Sequence, residues 1–207
     1  LAYTRHQFEL FKRVCDEVEK RTGKKFKLRH CANTGATALF PKTYLDMVRP
    51  GLLLYGYGEH ARMLGLKPVM AVKTTISTIK IYPEGTKISY GGIYTCDKVT
   101  RMGVAPIGYA DGFMRCLSNR CSFVTEEGMA PQRGRICMDM CMVDLTGKPK
   151  VDVGSELELF GNRQSLDDLA ALAGTIPYEI TCNISKRVPR VYLENGKVVE
   201  KELMLRM

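Results

Sequence analysis

An α/β segment followed by a mainly β domain is the fold class this sequence predicts. Two observations carry that reading. Up to about residue 70, helix-like and strand-like stretches alternate. Beyond that point strand-like runs separated by turn residues dominate, interrupted by one well-marked helix. The expected division is residues 1–70 and 71–207.

The first element is a helix. Thr4 and Gln7 have capping-box spacing, Phe8, Phe11, Val14, Cys15 and Val18 share one face, and Gly23 stands at the C′ position. Residues 25–30 alternate apolar and basic side chains, the period of a strand. A short helical stretch from Thr43 to Val48 precedes Leu52-Leu53-Leu54-Tyr55, which reads as a buried strand between glycines. Helix–strand–helix–strand at this spacing suggests consecutive βα units of a parallel sheet or barrel.

From Met70 onward, strands are expected over residues 71–82, 87–95, 100–107, 121–125, 134–145, 155–160, 190–193 and 198–203. Pro83-Glu84-Gly85 marks a turn, and Asn195-Gly196 is a strong hairpin signal. One helix breaks the series. Ser165 caps it, Leu166, Leu169, Leu172 and Ala173 form its apolar face, and Gly174 stops it. Asp167 and Asp168 in its first turn suit the helix dipole. A second short helix opens at Pro177, a favoured first helical position.

Composition excludes several classes. The chain is 45% hydrophobic and 26% charged, as ordinary globular proteins are. No apolar run approaches the roughly 18 residues of a membrane span, and no signal-peptide pattern opens the chain. Starting at Leu1, almost directly on a helix, the sequence is expected to continue upstream. The net charge of +9 raises the question of nucleic acid, but the basic residues are scattered, as at Lys12-Arg13, Lys24-Lys25 and Lys186-Arg187. A solvated basic surface is the expectation, with no nucleic acid and no membrane as partners. Of eight cysteines, Cys116 and Cys121 are five apart and Cys137 and Cys141 four apart, inside or beside apolar runs. That is not zinc-module spacing, so reduced thiols in a cytoplasm and no metal are expected.

Three motif blocks remain. The first is His30-Cys31-Ala32-Asn33-Thr34-Gly35-Ala36, followed by Asp46-Met47-Val48-Arg49-Pro50-Gly51 and Leu54-Tyr55-Gly56. The second is Ser89-Tyr90-Gly91-Gly92, then Pro106-Ile107-Gly108-Tyr109-Ala110-Asp111-Gly112. The third is Gly134-Arg135-Ile136-Cys137-Met138-Asp139, then Tyr178-Glu179-Ile180 and Arg187-Val188-Pro189-Arg190-Val191-Tyr192. In this order and spacing the chain resembles the alanine racemases, over nearly its whole length. The resemblance implies a partial (β/α)8 barrel followed by the family's C-terminal mainly β domain. It also implies pyridoxal 5′-phosphate (PLP) as cofactor and a homodimer with shared active sites. The activity implied is interconversion of L- and D-alanine for the cell wall.

Each block can also be read without the family. Asn33-Thr34-Gly35-Ala36 follows an expected strand, where exposed backbone N–H groups suit a phosphate; an ordinary strand-to-helix turn reads the same way. Gly51-Leu52 shares the ambiguity. The resemblance assigns phosphate contact to Thr34, Gly51, Leu52 and Tyr178, with Thr34 in place of the family's usual serine.

Arg49 is either a surface arginine near a helix end or, by resemblance, the partner of the pyridine nitrogen. Guanidinium keeps its proton, so it would leave that nitrogen unprotonated and weaken the ring as an electron sink. Proton exchange would then outrun side reactions.

Tyr90 is either a strand residue beside a Gly-Gly turn or one of the two acid–base groups that racemisation needs on opposite faces of the α-carbon. The resemblance makes it the group on the L-alanine face. A phenol with a pKa of about 10 needs help from its surroundings to act as a base. Tyr109 resembles the family's tyrosine near the substrate. Met138-Asp139 resembles the pair bounding a pocket sized for a methyl group, although Met138 could equally be core.

The family's cofactor lysine has no counterpart here, so none of this chain's lysines is assigned that role and the chain alone is expected to be inactive. The alternatives are a serine or broad-specificity racemase, a related decarboxylase with a cysteine on the second face, a non-enzymatic PLP-binding barrel, and a non-catalytic β-domain binding module. The decarboxylase lacks the tyrosine, and the PLP-binding barrel lacks a β domain. The set Tyr90, Tyr109 and Met138-Asp139 argues against the binding module.

Overall fold

Residues 2–203 are described by the computed structural model. They divide into two units, one ending at Val69 and the other starting at Met70. In the first unit, α1 (Ala2–Thr22) ends at Gly23, whose φ of +66° and N–H bond to Glu19 O (2.9 Å) close the last turn. Thr4 lies inside this helix, not at its cap, because Ala2 and Tyr3 already continue the helical backbone. Of the expected apolar face only Cys15 is buried, while Val14 is 51% exposed and Val18 38%. The other regular elements of this unit are α2 (Thr34–Leu39), α3 (Glu59–Met63) and the 3-10 turns Pro41–Thr43 and Gly51–Tyr55. None is long enough to cover a 21-residue helix.

Charge ties the next segment to α1. Arg29 bonds Asp16 through Nη1 and Glu19 through Nη2, both at 2.7 Å, and Glu19 also accepts the Phe26 N–H at 2.9 Å. The Arg29 hydrogen bond, followed by that of Phe26, holds the Glu19 carboxyl below its ordinary range.

Two expected strands are replaced. Residues 25–30 are irregular, and Leu52–Tyr55 belong to a 3-10 turn. A strand persists only as one of a pair. Residues 29–32 make two backbone bonds to residues 46–49, Asp46 N–H to Arg29 O (3.1 Å) and Arg49 N–H to Ala32 O (2.9 Å), and belong to no strand. Residues 52–55, with no partner strand, close local bonds such as Leu53 N–H to Pro50 O (3.2 Å). The helix expected over Thr43–Val48 is also displaced: the helical residues are α2 and Pro41–Thr43, because Asn33 Oδ1 caps α2 by accepting the Ala36 N–H (3.0 Å).

The second unit contains β1 (Val72–Thr75), β2 (Thr78–Tyr82), β3 (Lys87–Ile88), β4 (Tyr94–Thr95), β5 (Thr100–Ala105) and β6 (Ser122–Thr125). It continues with β7 (Gly128–Arg133), β8 (Cys141–Asp144), β9 (Glu156–Phe160), α4 (Leu166–Ala173), α5 (Pro177–Asn183), β10 (Arg190–Glu194) and β11 (Lys197–Glu202). Seven strands form one antiparallel sheet in the order β1-β9-β6-β7-β8-β5-β2. β1 and β2 are two residues apart in sequence yet sit at opposite edges, so the sheet must curl until those edges meet. The corner makes the join: Ile76 N–H bonds Ser155 O (3.0 Å) and Ser77 N–H bonds Val104 O (2.9 Å). Inside lie Met102, Phe123, Val143, Leu157 and Phe160, all fully buried, with Phe113 edge-on to Phe123 at 5.6 Å.

β7 carries Pro131 in the middle of the sheet. The neighbouring Gln132 N–H points to Cys121 O (3.0 Å) on the β6 side, so the proton Pro131 lacks would face β8, whose ladder starts only at Gln132. Capping chemistry sets α4: Ser165 Oγ accepts the Asp168 N–H (3.2 Å), and Gly174 closes the helix at φ +73°. Leu166, Leu169 and Ala170 are buried, while Leu172 is turned outward. Pro177 opens α5 as expected, and Asn195-Gly196, both at positive φ, turn β10 into β11.

Three long expected strands are broken. Residues 71–82 bend at the Ile76-Ser77 corner, residues 87–95 form the β3–β4 hairpin around a five-residue loop, and in 134–145 only Cys141–Asp144 is strand. Two of these interruptions hold Tyr90 and the pair Met138-Asp139.

Candidate active site

β3 and β4 pair at Lys87↔Thr95 and Ile88↔Tyr94, and Ile88 is buried with Cys96 and Met102. The hairpin base is therefore anchored in the core. Its apex is Tyr90, 75% exposed. Beside the apex, Ser89 Oγ donates to Arg135 O at 2.9 Å, joining this loop to the chain that runs into Met138-Asp139.

Tyr109 opens the 3-10 turn Tyr109–Asp111 that follows β5. Its N–H bonds Cys137 O and the Ala110 N–H bonds Met138 O, each at 3.0 Å. Gly108 makes that approach possible, since a Cβ there would lie 2.3 Å from both Cys137 O and Met138 O. The Tyr109 turn and the Met138-Asp139 loop are thus laid against each other, backbone to backbone.

A charged clamp completes the cluster. Arg187 bonds Asp111 Oδ1 through Nε (2.7 Å) and Asp139 Oδ1 through Nη2 (2.8 Å). The other oxygen of Asp111 accepts the Gly108 N–H at 2.8 Å, and its carbonyl accepts the Ser185 N–H at 3.0 Å. The hydrogen bonds it donates to Asp111 first, then to Asp139, raise the pKa of the guanidinium further above its ordinary value. Bridging two carboxylates on separate loops suits the planar fork of arginine better than any lysine.

Tyr90, Tyr109, Met138 and Asp139 are therefore tied into one loop cluster, and Met138 belongs to it and not to the core, at 54% exposed. Tyr178 lies in the first turn of α5, whose far end, Asn183, meets the cluster at Gly112. Asp111, Arg187 and Ser89 were not singled out from the sequence as site residues. Asp111 and Arg187 lie 76 residues apart, and opposite charge within two motif blocks was the only signal available.

In the first unit, Thr34 begins α2 and Gly51 begins the 3-10 turn Gly51–Tyr55. The Thr34 hydroxyl donates to Pro50 O, joining the two helix starts. Gly51 is exposed at φ +53°, and Leu52 is buried. Arg49 is exposed, with Nη2 directed at Cys31 O (3.4 Å). Two adjoining helix starts, a hydroxyl and a permanently charged guanidinium form a donor set whose chemistry fits a phosphate-bearing pyridine. The hydroxyl would have to turn from Pro50 O to donate to a phosphate oxygen.

All eight cysteines are free thiols, and among the described residues no group of His, Cys, Asp and Glu could hold a metal ion. Burial pushes the Cys121 thiol up to about 12 and that of Cys141 well above its ordinary value. Among the described residues no helix is long and apolar enough to cross a membrane.

Two family models match the chain: "Alanine racemase, N-terminal domain" over residues 1–59 and "Alanine racemase, C-terminal domain" over residues 69–192. Alanine racemase 1 of Clostridium acetobutylicum is 40% identical over 206 residues, covering 96% of this chain and 53% of the relative. Alanine racemase of Clostridium tetani is 42% identical, covering 95% and 53%. The structure of alanine racemase from Clostridium difficile 630 in complex with cycloserine superposes with a TM-score of 0.89 at 35% identity, covering 99% of this chain and 56% of that one. That of Bacillus anthracis with bound L-Ala-P gives 0.88 at 31%, covering 98% and 54%. The chain spans about half the length of the curated relatives it matches.

Proposed function

Because the chain belongs to the alanine racemase family, we propose that the complete protein interconverts L- and D-alanine with PLP, supplying D-alanine for the cell wall from the cytoplasm. The observation that carries this reading is the loop cluster. Tyr90, an acid–base side chain, is presented at a hairpin apex and bonded through its own loop to the segment bearing Met138 and Asp139. Bound PLP supplies an electron-withdrawing ring that makes the substrate's α-hydrogen acidic.

The rest is work for this chain's residues. Thr34, Gly51 and Leu52 would hold the phosphate, a role the family resemblance gives separately to Tyr178, and Arg49 would face the ring nitrogen as a permanent donor. Tyr90 takes or returns the proton on the L-alanine face of the α-carbon through its phenolic oxygen. Met138, flanked by the Arg187-held Asp139, leaves room for a methyl group and little more; Tyr109 lines the same side.

Tyr90, Tyr109, Met138 and Tyr178 are at least 40% exposed here, whereas a pocket selecting a methyl group must exclude water. A second surface has to cover them, and the reading assigns that surface to the barrel of a second subunit. Sites shared in this way can be complemented. Full-length Tyr90→Phe protein mixed with a variant lacking the cofactor lysine should recover activity that neither parent has. If subunits exchange freely and no activity returns, Tyr90 serves its own barrel. The activity itself is tested by incubating complete protein, PLP and L-alanine and finding D-alanine by chiral chromatography. Racemisation of L-serine at a matching rate would move the assignment to a broad-specificity racemase, and no D-alanine at all would remove it.

A further inference from the structure

Exposure alone does not aim a phenol, and the backbone beside Tyr90 contains an outlier. Ser89 has φ 64° and ψ −177°. That region is essentially reserved for glycine, and a side chain held there persists only when its surroundings over-determine it. Asn119 and Asn195, also at positive φ, are of the residue type that tolerates it; serine beside a catalytic candidate is less expected.

Three features over-determine Ser89. Its hydroxyl donates to Arg135 O at 2.9 Å and lies 3.6 Å from Cys137 Sγ. Gly134, at φ +74°, makes room: a Cβ there would stand 2.7 Å from the Ser89 Cβ and 3.0 Å from Ile88 O. On the other side of Tyr90, Gly91 and Gly92 turn the chain at φ 72° and 56°, and the Gly92 N–H returns to Ser89 O at 3.1 Å. Tyr90 is therefore a residue of a tight loop that neither strand pairing nor burial constrains, and Ser89 is its fixed end.

We propose that Ser89 is the positioning residue for Tyr90. Its glycine-like backbone and its bond to Arg135 O set the phenol-bearing loop on the segment that continues into Met138-Asp139. One hydroxyl thus fixes the acid–base group relative to the residues that limit substrate size. The inference rests on the reading of Tyr90 as the group on the L-alanine face.

Two substitutions separate the parts. Ser89→Gly relieves the backbone and deletes the bond; Ser89→Ala deletes the bond and keeps the strain. In the 207-residue chain, 15N relaxation should give the Tyr90 amide an order parameter of about 0.85 in the wild type and below about 0.6 in Ser89→Gly, with Phe123 unchanged. Ser89→Ala should melt below Ser89→Gly. In the complete polypeptide with PLP, Ser89→Gly should slow α-hydrogen exchange of L-alanine with deuterated water about tenfold or more, a barrier change of about 1.4 kcal/mol, and leave D-alanine exchange within about twofold.

Tyr90→Phe, measured alongside, distinguishes the failures. If Tyr90→Phe is selective for the L face but Ser89→Gly leaves both rates unchanged, or slows both equally, Ser89 does not position Tyr90. A Tyr90 amide equally rigid in wild type and Ser89→Gly overturns the proposal without any assay of turnover. If Tyr90→Phe itself slows both faces equally, the Tyr90 reading falls, and the role of Ser89 falls with it.

Discussion

Gly108→Ala should be the most damaging small substitution in the loop cluster. Gly108 sits at φ −147°, in extended backbone open to any residue, so an added methyl group meets no dihedral penalty and acts only through contact. That contact is severe, 2.3 Å to the carbonyl oxygens of both Cys137 and Met138. A carbon needs roughly 3.3 Å from such an oxygen, so the Tyr109 turn and the Met138-Asp139 loop must part by about 1 Å. The bonds from Tyr109 and Ala110 to those same oxygens, now 3.0 Å, cannot survive that separation. Two lost bonds cost about 1 kcal/mol each, and overpacking adds about 1–3 kcal/mol, for a total of about 3–5 kcal/mol. For a chain of this size that corresponds to a fall in Tm of roughly 6–20 °C, read by circular dichroism on the isolated chain. In the complete polypeptide kcat should fall with it, because Tyr109 and Met138 move apart. A Tm within about 2 °C of wild type would refute the close approach of the two loops.

Three further outcomes follow from particular contacts. Phe123→Ala removes a fully buried ring packed on Phe113 and should destabilise the β unit by about 3–5 kcal/mol in urea unfolding. Arg29 depresses the Glu19 pKa, so this pair's stabilisation is complete above the ordinary carboxylate pKa and is lost as pH falls through the lowered value. Glu19→Gln should therefore lower Tm at pH 7 and make little difference near pH 2, where a pH-independent deficit would contradict the pairing. Thiol titration of the native chain at pH 8 should label exposed Cys116 and Cys182 first, and Cys121 and Cys141 only on unfolding; early labelling of Cys141 would contradict its burial.

What was legible in the sequence was local chemistry. Gly23 at the end of α1, Ser165 and Gly174 around α4, Pro177 at the start of α5 and the Asn195-Gly196 hairpin each act through a few adjacent residues, and the structure shows each in its expected role. The misread elements depend on partners remote in sequence. Residues 25–30 have strand periodicity but no strand to pair with, and the apolar face of α1 has little to pack on. β7 was missed outright, because Pro131 and the polar Gln132 disguise a central strand; Gln132 is buried and spends its side chain on Asn119 N–H and on the carbonyls of Arg133 and Gly134. For the site, motif order picked out Tyr90, Tyr109, Met138 and Asp139. Only the fold could reveal the Arg187 clamp on Asp111 and Asp139, or the strained serine beside Tyr90.

The measurement that bears most directly on the account is α-hydrogen exchange in deuterated water by complete Tyr90→Phe protein with PLP, followed separately for L-alanine and D-alanine. A phenol acting on one face predicts that exchange from L-alanine disappears with racemisation, while D-alanine continues to exchange slowly and the cofactor remains bound. Equal loss from both enantiomers, with PLP still bound, would contradict it.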